Sequence, residues 1–136
     1  MSEQIDPTAS HCYFLDESEF TETDRPGFRK RVIMGDHMEL WFWRIKAGAE
    51  GSFLHHHLGN EQFGIIMRGA LDFRIGDLGD QSRRVLNAGD VYLAPKSVWH
   101  GDSVFIGDDE YGETWIVDVF APPRSGPNGT ENGDSA

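Results

Sequence analysis

Hydrophobic and polar residues alternate through the middle of the chain in short runs, which glycine-containing turns separate. Leu71, Phe73 and Ile75 alternate with polar residues, and this period of two buries one face of a β-strand while exposing the other. The runs are short and rich in β-branched and aromatic residues, which favours strands over helices. About eight such runs lie between residues 31 and 120. They predict an all-β domain of the jelly-roll type.

Two of the runs carry apolar side chains on both faces. They are residues 39–47 and 114–120, and we predict that both strands are covered on each side. Gly-Asp pairs at 76–77, 79–80 and 89–90 supply turns between strands.

The ends of the chain differ from the middle in composition. The first residues are polar, and residues 121–136 are rich in Gly, Pro, Asn and Ser, which offers little apolar surface to pack. A short helix is predicted to begin near Asp16, where acidic residues fill the first turn. We predict a partly disordered leader at 1–24, one domain at 25–121 and a disordered tail at 122–136.

Charge and composition exclude several classes of partner. The 136 residues include 12 Lys and Arg against 23 Asp and Glu, a formal net charge of -11, whereas binding to nucleic acid needs a cationic surface. No apolar run approaches the roughly 20 residues of a membrane-spanning helix, and the start lacks a secretory signal. We expect a cytoplasmic protein with no nucleic-acid or membrane partner. Cys12 is the single cysteine, and we assign it no chemistry.

Candidate chemistry is concentrated in residues 51–77, which contain three consecutive histidines. In an extended strand alternate side chains share a face, so His55 and His57 point together while His56 points away. Two imidazoles on one face are able to share a metal ion. Taken alone, the run is explained more simply as a surface cluster of histidines.

A second segment changes this picture, because His100 lies at the end of a strand shortly after a bend at Pro95. Together the two segments resemble the two motifs of the cupin superfamily. The first motif has the form G-x5-H-x-H-x(3,4)-E-x6-G, and its matching residues are His55, His57 and Gly69. The second has the form G-x5-P-x-G-x2-H-x3-N, and its matching residues are Gly89, Pro95 and His100.

The sequence departs from both motifs at particular positions. No glycine stands six residues before His55, Ser97 replaces the inner glycine of the second motif, and Val104 replaces its asparagine. The resemblance covers residues 40 to 120. It implies a cupin barrel, in which two antiparallel sheets form a jelly roll around a metal site.

The position of the motif's glutamate is ambiguous, since Glu61 and Gln62 both lie within the allowed spacing from His57. Adjacent strand residues face opposite sides, so only one of the two is able to reach the metal. Counting back from Gly69 selects Gln62, whereas counting forward with the shorter spacing selects Glu61. We assign the position to Gln62. The alternative role for Gln62 is an amide bonded to neighbouring backbone.

The resemblance implies one divalent ion held by His55, His57, Gln62 and His100. Imidazole suits Zn, Fe, Ni or Cu, and a hard oxygen ligand also admits Mn, so the residues leave the identity of the metal open. A neutral amide in place of glutamate leaves the full charge on the ion, which makes it a stronger Lewis acid. Such a ligand set also leaves coordination positions for water or a chelating substrate.

Asp118 lies between Ile116 and Phe120 on one face of the last predicted strand. An aspartate between two large apolar residues is unusual. If this face lines the barrel, burial and a nearby metal shift its pKa in opposite directions, and Asp118 becomes a candidate base. The alternative is an aspartate exposed to water at a strand end.

A closer resemblance bears on the function. Residues 55–64 and 117–124 look like the small cupins of the pectin-degradation type, in which a site of three histidines and one glutamine opens the ring of 4,5-unsaturated uronates. This resemblance implies that Asp118 and Phe120 take part in turnover. It also places Arg124 at the rim as a carboxylate clamp, although a solvated arginine in the tail is the alternative.

Two features argue against assigning that substrate directly. The net charge of -11 repels an anionic sugar acid at long range. The chain is also more aromatic than such a pocket needs, and its aromatic residues either form plain core or shape an apolar pocket; they are Trp41, Trp43, Tyr92, Trp99 and Trp115.

We therefore predict a small metal-dependent enzyme with lyase or isomerase chemistry, which transfers a proton on a small oxygenated substrate. That substrate is uronate-like or another cyclic hydroxy or carbonyl compound. One alternative is an Fe(II)-dependent dioxygenase acting on an aromatic or diketone-like substrate. Another is a cupin that binds metal and a small ligand without catalysis. Exposed strand edges favour a homodimer.

Overall fold

A computed structural model of the chain describes residues 11–124 and the backbone of residues 134 and 135. The predicted disorder of the first ten residues and of the tail beyond Arg124 lies outside the described residues. The domain boundaries at 25 and 121 stay predictions. No helix in the described part of the chain has the length and apolar character needed to cross a membrane.

The described chain is built from strands and two short 3-10 turns, Glu17–Glu19 and Gly79–Ser82. Of the strands in these described residues, eight have four or more residues, which agrees with the number expected from the sequence. The strands are β1 (Thr21–Glu22), β2 (Phe28–Met34), β3 (Glu39–Lys46), β4 (His56–His57), β5 (Glu61–Arg68), β6 (Ala70–Ile75), β7 (Arg83–Asn87), β8 (Val91–Ala94), β9 (His100–Phe105), β10 (Glu113–Ala121) and β11 (Asp134–Ser135).

The helix predicted near Asp16 is a single 3-10 turn. Asp16 precedes it without a side-chain capping hydrogen bond. The acidic side chains of the turn instead pair with arginines of β2: Glu17 lies 3.4 Å from Arg29, and Glu19 pairs with Arg31. The chain then enters β1, whose residues Thr21 and Glu22 pair with Lys30 and Arg29 of β2, and this strand pairing leaves room for only one helical turn.

The strands form two principal antiparallel sheets. One has the order β1-β2-β3-β10-β5-β8 and the other β7-β6-β9, while β11 pairs with β4. β3 and β10 are therefore central strands, as their apolar faces predict. This all-β arrangement of antiparallel sheets agrees with the predicted jelly roll.

The core lies between the two sheets and joins them. Its buried members come from both sheets and are Phe28, Ile45, Ile66, Leu71, Phe73, Phe105 and Ile116. The ring of Phe28 meets that of Phe105 edge-on at 5.3 Å, which is a favourable aromatic geometry. Several of these side chains also line the internal cavity described below, so the core forms its floor.

Ionic and aromatic contacts cover the outer face of β3 and β10 where the sequence predicts apolar cover. Arg44 and Glu113 are both buried there and lie 3.0 Å apart. The Arg44 guanidinium also stacks 4.4 Å from the ring of Trp115. The outer surface of these strands is thus closed by a paired charge as well as by hydrophobic residues.

Candidate metal centre

Three histidines converge at one end of the sandwich. His57 lies on β4 and His100 begins β9, while His55 and His100 exchange backbone hydrogen bonds of 2.8 and 2.7 Å. One ring nitrogen from each histidine lies within 4.8 Å of the others, and His57 and His100 are buried. The alternation of the strand places His55 and His57 together, as the sequence predicts.

Backbone carbonyl groups orient two of these rings. Nδ1 of His55 lies 2.9 Å from the carbonyl oxygen of Phe53, and Nδ1 of His100 lies 3.0 Å from that of Val98. A carbonyl oxygen only accepts, so in both rings Nδ1 carries the proton and Nε2 carries the lone pair. This is the tautomer in which Nε2 binds a metal, with the other ring nitrogen held by a hydrogen bond.

Gln62 joins the histidines from β5. Its Nε2 donates a hydrogen bond of 2.7 Å to the Tyr92 hydroxyl, and its Oε1 lies 3.2 Å from Nε2 of His100. With Nδ1 of His100 protonated, the lone pair on its Nε2 faces the amide oxygen of Gln62. Two lone pairs in this position repel each other, and a cation between them removes that repulsion. The donor set therefore fits a divalent ion.

Glu61 is exposed on the opposite face of β5, so the structure places Gln62, and not Glu61, beside the histidines.

The protonation state of His100 suits metal binding. Burial lowers its pKa to about 3, and the neighbouring His55 and His57 act in the same direction, whereas the hydrogen bond to Val98 opposes them. The ring is consequently neutral at physiological pH. A neutral imidazole is the form that binds a metal.

The segments that carry the histidines are held together by residues between the ligand positions. His56 points away from the centre and stacks on Trp99, with ring centroids 4.1 Å apart and an interplanar angle of 5°. The backbone N–H of Ser97 donates to the carbonyl of His57 at 2.8 Å. Ser97 has a φ of 69°, so it adopts the left-handed conformation that favours glycine. It thus keeps the backbone turn of the motif although the residue has changed.

Tyr92 links this centre to a carboxylate. It lies on β8 opposite Gly64 of β5, and a Cβ atom at Gly64 would lie only 2.0 Å from the Tyr92 ring. The glycine therefore opens the space that the ring occupies. From there the Tyr92 hydroxyl donates a hydrogen bond of 3.0 Å to Oδ1 of Asp118.

Asp118 lies on the central strand β10 and faces the cavity, so it is not an edge residue. Nε1 of Trp43 donates to its Oδ2 at 3.1 Å. Burial raises the pKa of Asp118 to about 6, although hydrogen bonds from Tyr92, Gln62 and Trp43 lower it in part. Because its pKa lies near neutrality, the group is suited to accepting and returning a proton.

Phe120 and Arg124 follow Asp118 along the chain. Phe120 is 1% exposed, and its ring centroid lies 5.9 Å from that of His57 and 5.1 Å from that of Trp41. The Arg124 guanidinium lies 5.4 Å from the rings of both Trp41 and Phe120. Its backbone N–H donates to the carboxylate of the buried Glu39 at 2.5 Å. Arg124 thus lines the cavity instead of extending into solvent.

A cavity of about 320 Å³ connects these groups. His55, His100, Gln62 and Asp118 line one part of it, and aromatic side chains line much of the rest. Three basic side chains also reach its wall, namely Arg25, Lys30 and Arg124, against the acids Asp24 and Asp118. The cavity is therefore locally more basic than the net charge of -11 predicts, which removes one objection to an anionic substrate.

Sequence reasoning missed three contributors to this site. Tyr92 and Trp43 are the hydrogen-bond partners of Asp118, and Lys30 reaches the cavity from β2. The sequence identifies Tyr92 and Trp43 only as core or pocket aromatics, and no spacing rule links them to Asp118. The period of two along β2 places Lys30 on the same face as the buried Phe28, and this was the available indication of its position.

Comparisons with known proteins agree with this architecture. Residues 41–108, half of the chain, match the family described as the cupin domain. The structure is similar to that of KdgF from Halomonas sp., with 22% identity, a TM-score of 0.68, and coverage of 83% of this chain and 96% of that one. It is equally similar to an RmlC-like cupin from Shewanella frigidimarina, with 22% identity, a TM-score of 0.68, and coverage of 85% and 93%.

A third similar structure belongs to a longer protein. Oxalate decarboxylase from Bacillus subtilis, described with Mn(II) centres, shares 17% identity at a TM-score of 0.63 over 86% of this chain and 30% of its own. No curated protein sequence matches the chain. The matches confirm the predicted cupin jelly roll.

Proposed function

Because this chain belongs to the cupin family, we propose that it is a small metal-dependent enzyme of the lyase or isomerase type. Its substrate is a small oxygenated organic compound, and a uronate that undergoes ring opening is the nearest precedent. The observation that carries the proposal is the direct connection between the histidine centre and a carboxylate: Gln62 bonds to Tyr92, and Tyr92 bonds to Asp118.

His55, His57, His100 and Gln62 are the residues that would hold the divalent ion. When bound, such an ion supplies Lewis acidity to a carbonyl or hydroxyl oxygen of the substrate. The three rings and the amide are neutral ligands, so the ligands themselves contribute no negative charge that would weaken that acidity.

Asp118 is the group that moves the proton. Trp43 and Tyr92 each hold one of its two carboxylate oxygens, at 3.1 and 3.0 Å, so its orientation toward the cavity is fixed. With its pKa raised to about 6 by burial, the ionised group accepts a proton from carbon or oxygen and returns it in a later step.

Phe120 and Arg124 define the substrate's surroundings. The buried Phe120 ring provides an apolar wall between Trp41 and the histidines, and that wall keeps water away from the reacting atoms. Arg124 places a guanidinium beside the same rings, and such a group binds carboxylates in a planar, two-pronged geometry.

The proposal is tested by incubating metal-loaded protein with a 4,5-unsaturated uronate and following the products by NMR. We expect ring opening that Asp118→Asn reduces by about a hundredfold or more, within the range of general acid–base catalysis. Asp36→Asn changes an exposed aspartate outside the cavity and should leave the rate unchanged. Equal rates for the wild type and Asp118→Asn would contradict the assigned role.

The donor set also favours one other reaction class, since three histidines with open coordination positions serve Fe(II) dioxygenases. Anaerobic reconstitution followed by measurement of oxygen uptake separates the two. Uptake that depends on both iron and substrate would replace the lyase assignment. Tight metal and ligand binding without product under any metal, and unaffected by Asp118→Asn, would indicate a protein that only binds.

A further inference from the structure

Lys30 occupies a position where strands normally carry an apolar residue. It lies on the inward face of β2, two residues after the buried Phe28, and its side chain lines the cavity. Its Nζ lies 4.1 Å from the ring centroid of Trp41 and 5.6 Å from that of Trp43. A partly buried lysine is costly unless its charge is compensated.

The positive charge of Lys30 is compensated in a different way from the charges of the arginines on the sheets. Arg29 and Arg83 lie 3.0 and 2.9 Å from Glu113 and Asp102. Within the described part of the chain, no carboxylate lies at ion-pair distance from the Lys30 ammonium, which packs against the indole rings of Trp41 and Trp43. Cation–π contacts compensate only part of a desolvated charge.

A second cation lies against the same indole. The Arg124 guanidinium is 5.4 Å from the Trp41 ring, so Trp41 has a lysine and an arginine beside it on the cavity wall. Two like charges at one aromatic ring repel each other, and an anion near both relieves that repulsion. The buried Glu39 carboxylate lies against the Arg124 backbone, so Lys30 is the cation of this pair to which an anion in the cavity would supply the counter-charge.

We propose that Lys30 is the anchor of an anion subsite, which binds a carboxylate of the substrate at the wall of the cavity that Trp41 forms. This inference rests on the proposed function and assigns the substrate class as an organic acid. Lys30 pairs with Trp43 on β3, whereas Asp118 pairs with Trp41, two residues away along that strand. Two strand spacings and this stagger together put about 12 Å between the Cα atoms of Lys30 and Asp118. The side chains of Lys30 and Asp118, with a ring-sized organic acid bound between them, together span that distance.

The test uses two sugars that differ only at one carbon, D-galacturonate and D-galactose, titrated into zinc-loaded full-length protein by calorimetry. The wild type should bind galacturonate about tenfold more tightly, as a charged hydrogen bond predicts. Lys30→Met should remove that preference and leave galactose binding unchanged. Lys30→Arg should retain it, because the charge remains. Lys46→Met, an exposed lysine on β3 outside the cavity, should behave as the wild type.

Two results would overturn the anion subsite. One is a wild-type protein that does not prefer galacturonate. The other is a preference that survives in Lys30→Met. If that surviving preference disappears when zinc is removed, the carboxylate binds the metal itself, and if it remains without zinc, another side chain such as Arg124 holds the carboxylate. Failure of the proposed function gives a different result, namely no turnover while the preference for galacturonate and its dependence on Lys30 remain.

Discussion

The hydroxyl of Tyr92 donates a hydrogen bond of 3.0 Å to Asp118 and accepts one of 2.7 Å from the side-chain amide of Gln62. One phenol thus connects the proposed metal ligand to the proposed base. Because the amide nitrogen of Gln62 is used by Tyr92, its oxygen is the atom that faces His100. The orientation of the amide, which sequence alone leaves undetermined, follows from this contact.

Tyr92→Phe removes this hydroxyl while keeping the ring that packs over Gly64. We expect metal affinity to fall by about tenfold or more, as is typical when the partner of a ligand is lost, with little change in the unfolding temperature. Competition with a coloured chelator measures the affinity. Tyr111→Phe, which alters an exposed tyrosine, is the matched control. A Tyr92→Phe protein that retains wild-type affinity would contradict the positioning role.

The pair Glu61 and Gln62 allows a direct test of the ligand assignment. Gln62→Glu brings a negative charge to the histidines, so we expect tighter binding of divalent ions, by about tenfold. Glu61→Gln removes a charge from the exposed outer face of β5 and should change the affinity by less than about twofold, since exposed charges are screened by water. If Glu61→Gln weakens binding and Gln62→Glu does not affect it, the alternative assignment is correct.

Asp118→Asn should change how the stability of metal-free protein depends on pH. Burial raises the folded-state pKa of Asp118 from 3.8 to about 6, so the folded state holds this proton more tightly than the unfolded state does. The wild type therefore loses stability as pH rises from about 4 to 6. At pH 7 the asparagine variant should be more stable by up to about 3 kcal/mol, and at pH 3 the difference should vanish.

Urea unfolding in the presence of a chelator, at pH 3, 5 and 7, measures this effect. Asp36→Asn serves as the control because Asp36 is exposed, and its variant should follow the wild type at every pH. A constant difference in unfolding free energy between Asp118→Asn and the wild type across this range would show that the Asp118 pKa is not raised.

Ser97→Gly tests whether the turn before His100 is strained. Ser97 has a φ of 69°, a conformation in which a side chain costs about 1 to 2 kcal/mol, partly offset by the greater chain entropy of glycine. We expect the variant to be more stable by about 0.5 to 1 kcal/mol. Ser97→Ala keeps the side-chain clash and should bring no gain in thermal or urea unfolding. Equal stability of the two variants would show that the turn is unstrained.

Much of the fold follows from local patterns in the sequence. The period of two through residues 71–75 predicts β6, and the two-sided apolar segments predict the central strands β3 and β10. The order of strands in each sheet does not follow in this way, because it depends on pairings between distant residues. The short helix expected at Asp16 is reduced to one turn, because the residues that follow it pair with β2 as the strand β1.

The candidate site is likewise predicted from the sequence only in part. Alternation within the histidine run predicts that His55 and His57 share a face, and the motif spacing brings in His100. The link from Gln62 through Tyr92 to Asp118 crosses β5, β8 and β10, and it exists only because Gly64 leaves room for the Tyr92 ring. The position of Lys30 is not predictable for a related reason, since its proximity to Trp41 depends on the register between β2 and β3.

The central claim is that three histidines and one amide hold a single divalent ion. Elemental analysis of full-length protein purified without added metal, followed by anomalous scattering from its crystals, tests this most directly. We expect one ion per chain, bound by Nε2 of His55 and His100, the ring of His57 and Oε1 of Gln62. Crystals soaked with zinc, manganese or iron that show no anomalous peak between these four side chains would contradict the account.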